Sequence, residues 1–474
     1  MSNNSGFNRR QLLQLSGNGL GALAAASLLP QEAHAAGPMA PRPAPLPAKA
    51  KSIIYLFQHG APSHVDTFDP KIELNKRNGQ TLPEELAKRI KTSFIQDPKN
   101  ALILGSPWGF APGGKSGLMI SDLFPHVRKH ADDLAVIRSC YGEVFDHSPA
   151  MYLALSGAQF PGRPSLGSWV TYGLGSENQD LPAFVVMTDG SMKSGPPVYG
   201  SGFLPGAYQG TLLRKKGDPV LYLRNPPGIT QDTQKRTLNL LETMNRRHLK
   251  SREADTTLDA RLLSYELAYR MQAAAPEAVD IKSETKATLD LYGVGAEPTD
   301  DVGRKCLLAR RLVERGVRFV QLFCGTNVGA DWDDAHNDLR HSHQTLAART
   351  DKPIAGLLAD LKSRGLLDST LVVWGGEFGR TPIAQGKNGR DHHPYGFSMW
   401  MAGAGIQGGR ALGATDEMGV APVEMPVNAH DVNATILRLM GLDHLRLTYL
   451  FQSRAYRLTD VHGENEFSAK LLAG

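Results

Sequence analysis

The feature of this sequence that most restricts its fold is a series of short apolar runs, each ending abruptly in polar residues. The first run is SIIYLF, residues 52–57, and the polar residues Gln58, His59 and Gly60 follow it directly. Similar runs occupy residues 134–137, 184–187, 317–323, 371–374 and 397–401. Continuous apolar runs of this length are typical of strands that are buried on both faces of a parallel sheet.

Amphipathic patterns typical of helices lie between these runs. They predict helices over residues 118–130, 302–315 and 343–364. Strands that alternate with helices indicate an α/β protein with a mostly parallel central sheet covered on both faces. Residues 190–299 differ, because a Gly/Pro-rich loop leads there to polar helices near 231–249 and 258–271. We interpret this segment as a helical cap insertion in the sheet domain.

Composition and charge exclude several classes of protein. Of the 474 residues, 41% are hydrophobic and 21% are charged, and no internal apolar run is long enough to span a bilayer. The net charge of +5 is small and the basic residues are scattered among acids, so we expect no nucleic-acid partner. Cys140, Cys306 and Cys324 lack metal-type spacing, which predicts mostly buried thiols and leaves a Cys306–Cys324 pairing open.

Residues 1–36 resemble a twin-arginine signal peptide. Arg9 and Arg10 precede a weakly apolar segment, and the small-residue pattern Ala33-His34-Ala35 suits cleavage. The alternative is an amphipathic N-terminal helix. The signal predicts export of a folded, often metal-loaded, protein to the periplasm, with the membrane met only transiently. Proline-rich residues 37–50 predict an extended tether before the main domain, residues 51–474.

Polar clusters follow the predicted strands, at the position where reactive groups gather in open parallel sheets. After the first strand, His59 and Asp66 are candidate metal ligands, and a hydrogen-bonded turn is the alternative for this loop. After the second strand, His147 and Ser148 begin an apolar helical segment. Ser148 precedes a proline, so a role as a helix N-cap would explain it equally well.

A third cluster, residues 331–338, is dense in aspartate and histidine and includes Asp333 and His336. Carboxylate oxygens and imidazole nitrogens are both ligands for Zn²⁺ or Mn²⁺. A calcium EF-hand is excluded, because the sixth position of the loop is His336 instead of Gly and the twelfth is Ser342 instead of Glu. A solvated acidic loop is the simpler alternative.

A fourth cluster follows the fifth run. Paired glycines at 375–376 allow a close backbone approach, and Glu377 is expected to project from the sheet edge. Arg380 is a candidate bidentate ligand for an anionic oxygen, unless it forms a surface salt bridge with Glu377. His392 and His393 come shortly afterwards. Together the four clusters indicate a metal-assisted hydrolase site.

Three tracts of the sequence resemble a known bacterial family. They are residues 365–382 (GLLDSTLVVWGGEFGRTP), 389–409 (GRDHHPYGFSMWMAGAGIQGG) and 430–449 (HDVNATILRLMGLDHLRLTY). On these motifs the chain, from about 51 to 462, is similar to the family called domain of unknown function 1501. That family is grouped with the alkaline phosphatase and sulfatase superfamily. The resemblance therefore implies an alkaline-phosphatase-like three-layer sandwich.

The same resemblance implies roles for individual residues. HSPAMYLALSG, residues 147–157, is similar to the sulfatase stretch CSPSRASLLTG, so His147 stands where a sulfatase has its modified cysteine. Cys140 lacks the C-x-P-x-R context, and a formylglycine sulfatase is not expected. Asp333 and His336 resemble the Asp/His metal pair of the superfamily, with one residue less between them.

Other superfamily ligands are substituted in this chain. Glu377 stands where Asp-His is usual, and His392 or His393 stands at the last histidine ligand. Gln58 and His59 replace the aspartate of the first strand, and Asp66 is near enough in sequence to reach the site. These departures put two full zinc sites in doubt, so the resemblance is compatible with one or two ions of Zn, Mn or Ca, or with none.

We therefore expect an exported, metal-dependent hydrolase of phosphate or sulfate esters, acting on an anionic small molecule or a carbohydrate ester. The expected metal ligands are His59, Asp66, Asp333, His336, Glu377, His392 and His393. His147 or Ser148 is the expected nucleophile or acid/base, and Arg380 the group that binds anionic oxygens. The alternative is a periplasmic binding or scaffold protein that keeps the fold without the chemistry, because fold does not fix function.

Overall fold

The computed structural model describes residues 39–473 apart from 189, 191, 215–227, 251–266, 268, 273 and 326–330. The predicted signal peptide, residues 1–36, lies outside the described residues. From residue 39 the proline-rich segment lies along the domain, where the amide of Leu46 donates to the carbonyl oxygen of Gly441. In the described part of the chain, no helix combines the length and apolar character needed to cross a bilayer.

The strands of the described residues form one large sheet and several two-stranded ones. They are β1 Ser52–Gln58, β2 Phe110–Gly113, β3 Leu118–Ser121, β4 Leu134–Cys140, β5 Phe184–Thr188, β6 Thr211–Leu213, β7 Phe319–Cys324, β8 Thr370–Gly375, β9 Gly379–Gln385, β10 Gly389–His393, β11 Phe397–Ala402, β12 Arg410–Leu412, β13 Ala414–Thr415, β14 Pro422–Glu424, β15 Tyr449–Phe451 and β16 Arg454–Tyr456. The eight-stranded central sheet has the order β12-β4-β11-β8-β1-β7-β5-β6.

Most neighbouring strands of this sheet are parallel, as the apolar runs predict. Ile53 of β1, for example, pairs in register with Phe319 of β7 on one side and Leu371 of β8 on the other. The exception is β11, which is antiparallel to both β4 and β8. The connection from β8 to β11 contains the antiparallel hairpin β9–β10.

Helices cover both faces of the sheet. The α-helices are α1 His64–Thr67, α2 Ile72–Lys76, α3 Glu84–Ala87, α4 His147–Ser156, α5 Leu166–Leu174, α6 Gln231–Lys250, α7 Lys286–Tyr292, α8 Asp300–Glu314, α9 Leu339–Ser363, α10 Ala429–Leu439 and α11 Ser468–Leu472. The 3-10 helices are Val127–Asp133, Pro196–Tyr199, Gly206–Tyr208, Ile281–Ser283, Trp332–His336 and Leu367–Ser369.

The core lies in two layers, one on each face of the sheet. Successive side chains of a strand point to opposite faces, so Ile54 of β1 packs with Leu307 of α8 and Leu357 of α9 in one layer. Tyr55, the next residue along β1, packs with Trp169 of α5 in the other layer. Burial on both faces explains why the sequence of β1 is continuously apolar, and the predicted three-layer α/β architecture is confirmed.

Residues 118–130 do not form the predicted helix. Leu118–Ser121 is β3, which pairs antiparallel with β2, and Val127–Asp133 is a 3-10 helix. Gly114 and Gly117 adopt positive φ values of 57° and 69° in the turn that joins β2 to β3, a conformation that favours glycine. A short apolar run fits a strand and a helix equally well, and here the turn decides for the strand.

The segment 190–299, which the sequence predicts to be a helical cap, also contributes to the main domain. It contains β6, the strand at one edge of the central sheet. Ala275, Ala278 and Tyr292 of the same segment are buried in the core. The predicted helix near 231–249 is present as α6. Most of the predicted helix at 258–271 lies outside the described residues.

Candidate metal centre

Side chains from four separate parts of the chain meet at the carboxyl edge of the central sheet. His147 is the first residue of α4 and follows β4, while Asp333 and His336 lie in the 3-10 helix that follows β7. Glu377 comes directly after β8, and His392 belongs to β10 in the hairpin beyond it. Because the carboxyl ends of parallel strands share one edge, residues far apart in sequence become neighbours.

A capping box fixes the short helix that carries Asp333 and His336. The carboxylate of Asp331 accepts the amide of Asp333, and the carboxylate of Asp334 accepts the amide of Asp331. Beside this helix, Gly60 has a positive φ of 99°. A Cβ atom at Gly60 would lie 2.1 Å from Oδ1 of Asp331, so the first-strand loop approaches closely only because this residue is glycine.

One carboxylate oxygen, Oδ1 of Asp333, is the centre of the cluster. It lies 2.8 Å from Nε2 of His147, 3.2 Å from Nε2 of His336 and 3.1 Å from Nε2 of His392. It also accepts a 2.8 Å hydrogen bond from Nη2 of Arg380. Burial would raise the pKa of the Asp333 carboxyl, but its contacts with the three histidines and with Arg380 outweigh burial and lower this pKa well below its usual range.

The opposite nitrogen of each histidine is held by an oxygen acceptor. Nδ1 of His147 lies 2.7 Å from Oε1 of Glu377, and Nδ1 of His392 lies 2.5 Å from the carbonyl oxygen of Phe145. Nδ1 of His336 is bonded to the amide oxygen of Gln385. Metal-binding histidines show this arrangement, in which an oxygen acceptor at one nitrogen fixes the tautomer and directs the other nitrogen at the ion.

His336 and His392 approach each other with the same ring nitrogen. Their Nε2 atoms are 2.8 Å apart. A backbone carbonyl only accepts hydrogen bonds, so Nδ1 of His392 carries the proton. Burial lowers the pKa of His392 to about 4, so its ring is neutral at pH 7 and Nε2 carries a lone pair. The contact of two Nε2 atoms therefore requires a proton or a cation between them.

His147 lies between two carboxylates, those of Asp333 and Glu377. Burial alone would lower the pKa of His147, but its hydrogen bonds to the two acids raise the pKa above its ordinary value. Burial would likewise raise the pKa of the Glu377 carboxyl, but its interactions with His147 oppose burial, and this pKa is lowered. Oε1 of Glu377 also accepts the amide of Gly60 at 2.9 Å. Glu377 therefore bonds to Nδ1 of His147 and orients the imidazole ring.

Two basic side chains, Arg380 and Lys193, contact the acids of the cluster. Arg380 is fully buried, and its guanidinium donates to the carbonyl oxygens of Gly60 and Ala61 as well as to Asp333. Most of its donors are therefore occupied, and the predicted bidentate fork for a substrate anion is not free. Lys193 forms an ion pair with Oδ2 of Asp333 and lies on the exposed side of the cluster. No pattern in the sequence indicates Lys193.

Several predicted site residues lie outside this cluster. The carboxylate of Asp66 is fully buried and ion-paired with Arg390 at 2.7 Å, so it is not available as a ligand of the cluster. Nε2 of His393 bonds to the carbonyl oxygen of Val420 on the other side of the hairpin. The hydroxyl of Ser148 donates to the carbonyl oxygen of Lys193, and the N-cap position of α4 belongs to Asp146, whose side chain forms no capping hydrogen bond.

His59 has an intermediate position. Its ring stacks against that of His147 with centroids 6.4 Å apart, and Nδ1 lies 3.8 Å from Oδ2 of Asp331. The amide of Lys193 donates to Nε2 of His59. Within the described residues Nδ1 of His59 has no hydrogen-bond partner, although the atom is buried. His59 therefore borders the cluster without contacting Asp333.

Replacing Asp66 by asparagine tests its structural role. Breaking a buried ion pair on one side leaves the charge of Arg390 uncompensated, which typically costs about 3 kcal/mol or more. We expect Asp66→Asn to lower the free energy of unfolding by about 3 kcal/mol, measured by urea denaturation. Metal bound per folded chain should stay unchanged. Loss of metal with unchanged stability would contradict this role.

A second group of possible ligands overlaps the first. Ligand atoms of His336, Asp391 and His392 also lie within 4.8 Å of one another. However, Oδ2 of Asp391 already accepts the amides of Phe94 and Ile95, and Oδ1 accepts the amide of His392. Asp391 is occupied in holding backbone, so the group formed by His147, Asp333 and His392 is better suited to bind an ion.

Comparison with known families identifies the chain. Residues 50–466 match the family described as "Protein of unknown function (DUF1501)". The chain belongs to this family. The match covers the central sheet and every residue of the cluster, and it confirms the family that the sequence tracts resemble. Among curated proteins, none matches the sequence.

Solved structures similar to this member of the family include proteins of the alkaline phosphatase superfamily. A superfamily protein from Vibrio parahaemolyticus is 12% identical with a TM-score of 0.33, and the alignment covers 92% of this chain and 76% of that one. The alkaline phosphatase of the Antarctic bacterium TAB5 is 11% identical with a TM-score of 0.34, covering 84% and 99%.

A third similar structure is the phosphoglycerol transferase GacH of Streptococcus pyogenes in complex with sn-glycerol-1-phosphate. It is 11% identical with a TM-score of 0.33, covering 84% of this chain and 77% of that one. The TM-scores are below 0.5, so no residue role is transferred from these structures to this chain.

Proposed function

We propose that this protein binds one divalent cation between the Nε2 atoms of His147, His336 and His392 and the carboxylate of Asp333, and hydrolyses phosphate or sulfate esters there. The observation that carries the proposal is the convergence of three Nε2 atoms, those of His147, His336 and His392, on Oδ1 of Asp333 at 2.8, 3.2 and 3.1 Å. Each of the three rings is held at Nδ1 by an oxygen acceptor, which directs its Nε2 atom at the common carboxylate, as in metal-binding histidines.

The donor set favours particular metals. Three imidazole nitrogens and a carboxylate oxygen suit Zn²⁺ or Mn²⁺. Ca²⁺ prefers about six to eight oxygen ligands, and this cluster offers too few. Buried atoms without a hydrogen-bond partner among the described residues border the cluster on several sides: Nδ1 of His59, Oε2 of Glu377 and Nη1 of Arg380. Unsatisfied groups of this kind are common where a site binds ligand or water.

His147 is proposed as a ligand and not as the nucleophile that the superfamily resemblance implies. Both of its ring nitrogens face carboxylates, at 2.8 Å for Asp333 and 2.7 Å for Glu377. A cation would take the place of the proton on Nε2. The hydroxyl of Ser148 is bonded to the carbonyl oxygen of Lys193. Neither residue is then free to attack an ester, and we propose that water is the attacking group.

The remaining side chains have distinct parts in the proposed reaction. A bound cation would supply Lewis acidity toward an ester oxygen or water. Glu377 holds His147 in one tautomer, and Arg380 holds Asp333 in place. Lys193 is one-third exposed, so its ammonium group is free to turn from Asp333 to the anionic oxygens of a substrate.

The proposed function is tested with the full protein purified without chelators. We expect about one equivalent of Zn²⁺ or Mn²⁺ per chain and turnover of 4-nitrophenyl phosphate or 4-nitrophenyl sulfate that disappears with the metal. A chain that binds the metal but hydrolyses no ester across a broad panel would favour the alternative, a binding or scaffold protein. A chain that holds no metal and has no activity would contradict the proposal.

Export through the twin-arginine route is part of this proposal, and it depends on Arg9 and Arg10. We expect the double change Arg9→Lys with Arg10→Lys to leave unprocessed precursor in the cytoplasm, measured by fractionation and immunoblotting, because the export machinery reads the arginine pair itself. Arg246→Lys with Arg247→Lys, an adjacent arginine pair later in the chain, is the matched control. Normal periplasmic accumulation of the first variant would exclude this route.

A further inference from the structure

Phe94 is an exposed aromatic residue that contacts the candidate metal centre. The residue is 59% exposed, although the ring centroids of two candidate ligands lie close to that of Phe94, at 4.8 Å for His336 and 5.9 Å for His392. The ring planes are nearly perpendicular, at 77° and 76°. Phe94 therefore covers the edge of the histidine pair and leaves much of its own apolar surface open to solvent.

The loop that carries Phe94 is fastened to the strand that carries His392. Oδ2 of Asp391 accepts the amides of Phe94 and Ile95 at 2.7 and 3.0 Å. Nη2 of Arg390 donates to the carbonyl oxygen of Leu104 at 2.9 Å, so the later end of the loop is held by the same strand. Two consecutive residues of β10 thus fix the loop, and the next residue, His392, points into the cluster.

A single exposed aromatic residue usually needs no explanation. Phe160 is such a residue. It is 58% exposed, and the only partner of its ring among the described residues is the guanidinium of Arg163. Phe94 differs in two respects, since it contacts two candidate ligands and its backbone is bonded to a buried carboxylate. The hydrogen bonds from the backbone of Phe94 and Ile95 to Asp391 therefore fix Phe94 at the rim of the site.

We propose that Phe94 determines specificity by packing against a ring of the substrate, and that the preferred substrates are esters whose alcohol carries an aryl or sugar ring. The inference rests on the proposed function for the position of the ester group at the cation. With the anionic end of the substrate near Lys193 and the cluster, the adjoining alcohol meets the open surface of Phe94. Aromatic surfaces favour ring partners in stacked or edge-to-face contact.

The test uses two phosphonates that differ in the presence of a ring. Binding of benzylphosphonate and ethylphosphonate to the full, zinc-loaded protein is measured by calorimetry. We expect benzylphosphonate to bind about three- to tenfold more tightly, the usual range for one aromatic contact. Phe94→Ala should remove this preference and Phe94→Tyr should keep it. Phe160→Ala, the matched control, should leave the preference as it is in the parent protein.

Competition against benzylphosphonate is then measured for glucose 6-phosphate, which carries a sugar ring, and for glycerol 3-phosphate, which carries no ring. The comparison shows whether the site accepts a sugar ring as well as an aryl ring. A parent protein without ring preference, or a preference that survives in Phe94→Ala, would overturn the inference and leave the metal centre untouched. Loss of zinc in Phe94→Ala with equal weakening of both phosphonates would also overturn it, because Phe94 would then be only a cover. If no ester is hydrolysed while benzylphosphonate still binds through Phe94, the hydrolase proposal fails and the ring site stands.

Discussion

Changing Asp333 to asparagine is expected to remove the cation and ester hydrolysis together. Oδ1 of Asp333 contacts the Nε2 atoms of three histidines, and both of its carboxylate oxygens are ion-paired with basic side chains, those of Arg380 and Lys193. Asparagine keeps the size of the side chain and removes the negative charge that all these groups face. We expect kcat/KM to fall by about a thousandfold or more, as is typical when a metal ligand is lost.

The measurement combines metal analysis with kinetics on the same preparation. Asp146→Asn is the matched control, since Asp146 is an exposed aspartate next to His147 and is outside the cluster. Circular dichroism and thermal unfolding show whether Asp333→Asn keeps the fold. An Asp333→Asn protein that retains one equivalent of metal and activity within about tenfold of the parent would exclude Asp333 as a ligand.

His147→Ala is expected to have an effect of similar size, and it separates two roles of this residue. If His147 is a ligand, its loss removes metal and leaves the fully buried carboxylate of Glu377 without its histidine partner. Metal content and kcat/KM should then fall together, the latter by about a thousandfold. If His147 is instead the nucleophile that its superfamily position implies, turnover should disappear while the metal stays bound.

His341→Ala is the control for this substitution, because His341 is an exposed histidine of α9. Metal content is measured by mass spectrometry, and a further arm adds imidazole, which can occupy the space left by the ring. Partial recovery of metal binding with imidazole would support the ligand role. A metal-replete, inactive His147→Ala protein would return His147 to the role of nucleophile.

The sequence predicts the sheet well because the central strands are buried on both faces. The run at 52–57 is apolar at every position, since Ile54 and Tyr55 face different layers of the core. The direction of β11 was not predictable from its apolar run, which looks like those of the parallel strands. Its direction is shown only by its antiparallel pairing with β4 and β8.

The sequence predicts that the site residues converge, but it does not show which of them belong to the cluster. His392 and His393 are adjacent in β10, so their side chains leave the strand on opposite sides. Only the structure shows which side faces Asp333, because register is set by pairing with β9. Asp66 is bound by Arg390 from far along the chain. Lys193 lies in a Gly/Pro-rich loop where a single lysine has no distinguishing pattern.

The central claim is that three histidines and one aspartate bind a cation, and anomalous diffraction from crystals grown with Zn²⁺ tests it most directly. We expect one anomalous peak per chain at this cluster, with Nε2 of His147, His336 and His392 about 2.0–2.1 Å from the ion. A fully loaded crystal without a peak there, or with its strongest peak at another group of residues, would contradict the account.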